Sequence, residues 1–266
     1  MHRTGLKHTI ARYMSLQYPV AWTHYNRAFR KHHFEPEYWL IPLFCRREKI
    51  AIDVGANMGI YAFAMAKCAR QVIAFEPNID LWPFLRRFLD DSVRLEDAAL
   101  SSAPGQAEFR IAADNTGVAT IEARNPLLMI DRPETIATRS VATRTLDSFA
   151  LSDVSFIKID VEGHEEAVLA GAVRTIAENR PVVLVEAEDR HNPGAPKRVA
   201  DWFAALDYEG FFIKARRLMP VAELVPADTD PAGLAGGNYV NDFLYVPSED
   251  RELIKRVRQA VKSPRP

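Results

Sequence analysis

The residues able to do chemistry sit at the ends of short apolar runs. The first run, Ile50-Ala-Ile-Asp-Val-Gly-Ala-Asn-Met-Gly59, carries Asp53 and then turns through Gly55, Asn57 and Gly59. Two glycines let the backbone turn sharply and approach a ligand with no Cβ in the way. A helix opening at Ile60 would point its positive end at that turn. A dinucleotide fingerprint reads Gly-x-Gly-x-x-Gly; here Asn57 stands in the middle slot and no third glycine precedes Ile60. The turn therefore favours a ligand presenting an amine and a carboxylate over close approach of a pyrophosphate, with Asp53 as the acceptor for an ammonium group. The second run ends in Phe75-Glu76-Pro77, where Glu76 is placed either to accept from both hydroxyls of a ribose or to cap the next helix. Asp97, near the end of a third run, is a candidate acceptor for an adenine amino group.

A second set follows the string Lys158-Ile-Asp-Val-Glu-Gly-His-Glu165. Lys158 and Asp160 share a strand face by the two-residue period, so Lys158 reads as a partner for a nearby acid. Glu162 and Glu165 open a helix, where acids suit the dipole; capping and catalysis are both open to them. His164 lies between. Glu186 and Glu188 end a further run, and His191 follows in a loop before Pro193-Gly194. A loop histidine titrating near neutrality is a candidate general base, and equally an ordinary surface residue. Asp160, Glu186 and His191 converging on one site would make a divalent-metal set, but no ligand spacing marks one and a metal is not favoured. Asn241 and Asp242, after Gly236-Gly237, would orient a substrate or shape the turn.

These positions require a regular scaffold. Strands are expected at Ile50–Val54, Gln71–Phe75, Val93–Leu100, Val154–Asp160, Val182–Glu186, Glu209–Ile213 and Asp242–Val246. Helices are expected at Ile60–Ala69, Asp80–Asp90, His164–Asn179, Pro196–Leu206 and Glu252–Val261. Two antiparallel strands, Gly105–Ile111 and Ser140–Arg144, flank a long loop from Asn115 to Thr138 with Gly117, Pro126 and Pro133. Alternation of this kind implies an α/β fold with a mostly parallel sheet covered on both faces. Residues 1–47, rich in aromatics from Tyr13 to Trp39 and interrupted at Pro19, Pro36 and Pro42, read as a helical amino-terminal extension that caps the sheet edge or covers substrate. Residues 48–266 read as the catalytic domain.

The 266 residues suffice for a sizeable core, with 48% hydrophobic and 26% charged residues. A formal net charge of −1 gives no global field for nucleic acid or an anionic membrane. Cys45 and Cys68 make no disulfide framework and are compatible with a reducing compartment. The first residues, Met-His-Arg-Thr-Gly-Leu-Lys-His, lead into no apolar h-region, and no stretch approaches some 18 apolar residues. A cytoplasmic protein without a membrane span is expected; the oligomeric state is open, and a homodimer is compatible.

In order and spacing, five segments resemble the FkbM family of methyltransferases: Ile52-Asp-Val-Gly-Ala-Asn-Met-Gly-Ile-Tyr61, Phe75-Glu-Pro77, Thr145-Leu-Asp147, Phe156-Ile-Lys-Ile-Asp-Val-Glu-Gly-His-Glu165 and Val182-Val-Leu-Val-Glu186. The resemblance spans residues 50–190; Glu186-Ala-Glu-Asp-Arg-His191 and Tyr239-Val-Asn-Asp-Phe243 extend it toward a subgroup. It implies a seven-stranded, Rossmann-like class I methyltransferase fold and S-adenosylmethionine as donor. It also implies O-methylation of a hydroxyl on a sugar, glycan or secondary metabolite. Asp53, Gly55, Asn57 and Gly59 then fall on the donor turn, Glu76 on the ribose acid, and Asp160 beside the methionine moiety. Ile79-Asp80 departs from the proline often found there and touches only a helix start. An alcohol is poorly acidic, so a base is expected from His191, Asp160, Glu162 or Glu186, with Asn241 on the acceptor. The rivals are a nicotinamide-dependent oxidoreductase and a non-catalytic donor-binding module.

Overall fold

A computed structural model describes residues 35–112, 115–125, 127, 136–230 and 239–263. The aromatics from Tyr13 to Phe34, Pro126, Pro133 and Gly236-Gly237 lie outside these residues. Twelve strands are described: β1 (Ile50–Val54), β2 (Gln71–Phe75), β3 (Val93–Glu96), β4 (Ala99–Leu100), β5 (Gly105–Ala112), β6 (Asn115–Thr120), β7 (Ile136–Arg144), β8 (Val154–Ile159), β9 (Val182–Glu186), β10 (Tyr208–Lys214), β11 (Arg217–Pro220) and β12 (Asp242–Pro247). The helices are α1 (Ile41–Phe44), α2 (Ile60–Met65), α3 (Trp82–Phe88), α4 (Glu165–Ala170), α5 (Val173–Asn179), α6 (Ala195–Ala204) and α7 (Arg251–Lys262).

The main sheet runs β11-β10-β12-β9-β8-β1-β2-β3. Its β9-β8-β1-β2-β3 part is parallel, and β12 enters antiparallel to β9 and β10. The strand order reverses between β1 and β8, and ligands of open α/β sheets bind beyond the carboxyl ends of strands at such a point. Side chains alternate between two cores. Ile50, Ile52, Val54, Ile157 and Ile159 pack with Val168, Ile176, Val199 and Phe203 on one face. Ala51, Phe156, Leu184 and Leu244 pack with Tyr38, Ile41, Phe44, Met65, Leu253 and Val257 on the other. Residues 36–44 of the expected extension are thus part of the second core.

Four expectations need correction. The seven strands are eight, because β11 adds an edge to β10 through Ala215 and Arg216, both at positive φ (47° and 59°). That is the backbone of a two-residue hairpin turn, built here without the usual Asn or Gly. The run Val93–Leu100 divides: β3 stays in the main sheet, while β4 joins a second sheet of order β4-β7-β5-β6. The Asn115–Thr138 loop holds β6, paired with β5, and the start of β7. The helix His164–Asn179 is two. A methyl group at Gly171 would sit 2.1 Å from the Ser101 carbonyl oxygen. Asp147 meanwhile accepts from the backbone N–H groups of Arg174 (2.9 Å) and Thr175 (2.8 Å), so it caps α5 from a distant segment.

Candidate functional site

Alternation puts Asp53, Lys158, Glu186 and Asp242 at the carboxyl-end region of the sheet, on the face shared by Ala51, Phe156, Leu184 and Leu244. Asp53 pairs in register with Lys158, and Asp242 with Glu186. Lys158 is the centre of this cluster. Its Nζ lies 3.0 Å from Asp242 Oδ1, 3.6 Å from Glu186 Oε2 and 3.9 Å from Asp160 Oδ2, with a side chain 1% exposed. The Tyr61 ring lies 5.0 Å from that ammonium, and the Tyr61 hydroxyl donates to Glu35 at 2.8 Å. Burial opposes the lysine charge, but Asp242, Asp160, Glu186 and Glu35 outweigh it and hold its pKa well above the ordinary value. Burial and the neighbouring Asp160 charge push Glu186 strongly up. Asn241 Nδ2 donates to Glu186 Oε1 at 2.8 Å, so Asn241 holds a carboxylate.

The turn after β1 has the shape its sequence implies. Gly55 (φ +82°) hydrogen-bonds the Phe75 carbonyl through its N–H, and a methyl group there would fall 1.9 Å from the Asp160 carbonyl oxygen. Asn57 is left-handed (φ 45°), and Gly59 (φ +72°) precedes α2. The Glu76 carboxylate accepts from Asn57 N and Asn78 N, both at 2.7 Å, which ties the first turn to the second. Burial nonetheless raises its pKa to about 7, against those two hydrogen bonds. Asp53 is likewise pushed up to about 7, first by burial. Ala62 donates a backbone hydrogen bond to it, while its Oδ2 is buried with no partner.

A small cavity of about 70 Å³ lies between this turn and Asp160. Val54, Gly55, Asn57 and Glu76 form one wall; Asp160, Val161 and Glu162 form the end; Phe109, Ala119, Thr120 and Ile121 of the smaller sheet and its continuation close it. Asp97 is exposed and is not in the lining, where Ala98, Ala99 and Leu100 stand instead; the expected adenine contact of Asp97 is not formed by this wall.

Beyond Asp160 the helix-opening acids separate in role. Glu165 Oε1 accepts from Gly163 N at 2.9 Å and so braces the turn that leads into α4. Glu162, at φ 55°, turns to the cavity, and its Oε2 lies 3.1 Å from His191 Nε2. Burial, then the Asp160 and Glu188 charges, push Glu162 up to about 9. Burial depresses His191 to about 4. His191 is 7% exposed, so it is not a surface loop histidine. His164 instead contacts Ser101 Oγ (2.9 Å) and Glu122 Oε2 (3.2 Å).

The supposed metal set does not assemble. Asp160 and Glu186 face the Lys158 ammonium, whereas His191 pairs with Glu162. Among the described residues no group of three or more His, Cys, Asp or Glu side chains is placed to hold a metal ion. Three features went unread in the sequence: Asp242 as the nearest partner of Lys158, the cavity wall from the smaller sheet, and Glu188 bound by Arg190 and the Tyr239 hydroxyl. Each joins segments whose adjacency depends on strand order.

The fold is that of an α/β protein with a Rossmann-like, mostly parallel sheet. The model of the methyltransferase FkbM domain matches residues 53–211, and the chain belongs to that family. No curated protein sequence matches it. Among solved structures it is similar to the methyltransferase FkbM from Methylobacillus flagellatus KT, at 16% identity and TM-score 0.48. That match covers 79% of this chain and 50% of the other, so the chain spans half the length of that relative. It is also similar to a Streptococcus mutans protein in complex with SAH (10% identity, TM-score 0.42, 80% and 98% covered). A SAM-dependent methyltransferase from Aquifex aeolicus is a further match (12% identity, TM-score 0.42, 81% and 90% covered). Among the described residues, no helix is long and apolar enough to cross a membrane.

Proposed function

We propose that this methyltransferase transfers a methyl group from S-adenosylmethionine to a hydroxyl of a sugar, glycan or secondary metabolite. The observation that carries the reading is one cavity with the glycine turn and Glu76 on one wall and Glu162 at its end. The residues fit the donor. Glu76, in the lining, would take its ribose hydroxyls, and the orphaned Asp53 Oδ2, buried outside that lining, its ammonium. The turn at Gly55 leaves no room for a side chain. When bound, the donor supplies an electrophilic methyl on a sulfonium. The chain's part is then alignment, worth on the order of 7–11 kcal/mol in favourable cases, and removal of the hydroxyl proton. Glu162 with His191 is assigned that proton, and Asp160 and Glu186 shape the negative end of the site. The free thiols Cys45 and Cys68 favour placing the reaction in the cytoplasm.

The test is incubation with S-adenosylmethionine and a panel of glycosides and alcohols. S-adenosylhomocysteine release together with an O-linked methyl group in the product is expected. Methyl appearing on nitrogen would replace the hydroxyl reading. Binding of NAD in place of S-adenosylhomocysteine by calorimetry would sink it.

A further inference from the structure

We propose that His191 does not touch the acceptor and is a positioning residue acting only through Glu162, so that the two side chains form one proton relay with the Glu188 charge behind it. This rests on the hydroxyl-methylation reading above and divides the roles within it.

Glu162 is in the cavity lining and His191 is not. The contact between them, Oε2 to Nε2, is 3.1 Å, and the far ring nitrogen, Nδ1, faces Glu188 Oε1 at 3.9 Å. Both partners are fixed from the backbone side. The Glu162 carbonyl accepts from Thr120 Oγ1 at 2.9 Å and Asn125 Nδ2 at 2.6 Å, which holds its left-handed conformation. Gly163, at φ +103°, packs on the histidine: a methyl group there would stand 3.1 Å from His191 Cβ. Glu188 has a side chain with no exposure and is held by Arg190 and the Tyr239 hydroxyl. Burial works against its charge, but those hydrogen bonds keep its pKa below the usual carboxylate range.

The charged groups facing Glu162 are Asp160, Glu188, Arg190 and Glu165; those facing His191 are Glu188 and Arg190. Three of the four groups around Glu162 are acids, and on this proposal the Glu162–His191 contact carries one proton at neutral pH, held on Glu162. Glu162 donates it to Nε2, which requires the other ring proton on Nδ1, toward the Glu188 charge. In the reaction the Glu162 proton moves onto Nε2, giving an imidazolium beside Glu188. The freed carboxylate takes the acceptor's hydroxyl proton as the oxygen–methyl bond forms and the sulfur keeps the electrons of its broken bond to carbon. Glu162 and His191 then hold two protons between them, and one leaves to solvent.

The ring tautomer can be read without an acceptor, by long-range proton–nitrogen NMR of nitrogen-15-labelled protein saturated with S-adenosylhomocysteine. The His191 signal is assigned by its loss in His191→Asn. Hydrogen on Nδ1 is expected, retained in Glu162→Gln, whose amide still donates to Nε2. Hydrogen on Nε2 in the wild type would overturn the relay. On any hydroxyl acceptor from the panel, Glu162→Gln should lower kcat by about 100-fold or more, with S-adenosylhomocysteine affinity within twofold as the check on folding. His191→Ala should lower kcat about tenfold or more on its own and have no further effect in the Glu162→Gln background. A further loss in the double variant would show that His191 acts directly and would overturn the proposal. A methyl found on nitrogen would count against the hydroxyl reading, while the ring tautomer reports on the relay by itself.

Discussion

A carboxylate buried at the end of a strand is costly unless a cation meets it. Asp53 is such a group. Lys158 pulls its pKa down, burial pushes it up to about 7, and its Oδ2 has no partner. An ammonium arriving at that oxygen would favour the charged form. Charge-assisted hydrogen bonds contribute about 1.5–3 kcal/mol, so Asp53→Ala should weaken S-adenosylhomocysteine binding roughly 10- to 100-fold with the fold intact. Because only the ionised form attracts the ammonium, wild-type affinity should rise as pH increases through about 7, and the variant should lose that rise. Calorimetric titration at pH 6 and pH 8 measures both; equal affinities for wild type and variant would remove Asp53 from the donor site.

At the scale of elements, the turn joining β1 to α2 is where sequence and geometry agree most closely. Gly55 and Gly59 were legible because positive φ and close backbone approach restrict the residue type, and both features are present. Gly55→Ala would add strain of about 1–3 kcal/mol at that φ and drive a methyl group against the Asp160 carbonyl. A fall in Tm on the order of 5 °C with loss of donor binding is expected; unchanged melting and binding would show the turn to be elastic. The parallel strands were legible for a related reason, since strands buried on both faces read as unbroken apolar runs. Other elements left no such mark. Strand β6, Asn-Thr-Gly-Val-Ala-Thr120, has no apolar run, and β11 follows a turn made of Ala215 and Arg216. The break between α4 and α5 is set by Asp147, some 27 positions away from the N–H it caps. The site divides in the same way. Asp160 and Glu162 lie inside one readable string, whereas Lys158 meets Asp242 across 84 positions and Glu188 meets Tyr239 across 51. Those pairings follow from β12 entering beside β9, which no local pattern announces.

For the molecule as a whole, the acids gathered at one end of the sheet tie stability to pH in an unusual direction. Asp53, Glu76 and Glu165 are raised to about 7 and Glu162 to about 9, burial being the first cause in each. In the unfolded chain such groups ionise near pH 4. Between pH 6.5 and 8.5 the native state therefore binds more protons than the unfolded state, and unfolding free energy falls as pH rises. His191 has the opposite sign, since its pKa is depressed to about 4: it adds a smaller rising slope near pH 6.5 that fades as pH passes above the ordinary histidine value. The pKa of Lys158 is raised above the ordinary lysine range, so its contribution is lost only at higher pH. The ligand-free protein should lose stability on the order of 1 kcal/mol per pH unit over this interval, read from urea unfolding at constant ionic strength. Glu162→Gln removes one of these raised carboxylates, so its slope should be shallower than that of the wild type. A wild-type curve flat or rising from pH 6.5 to 8.5 would mean that these carboxylates are already ionised in the native state, leaving Glu162 no proton to donate to His191.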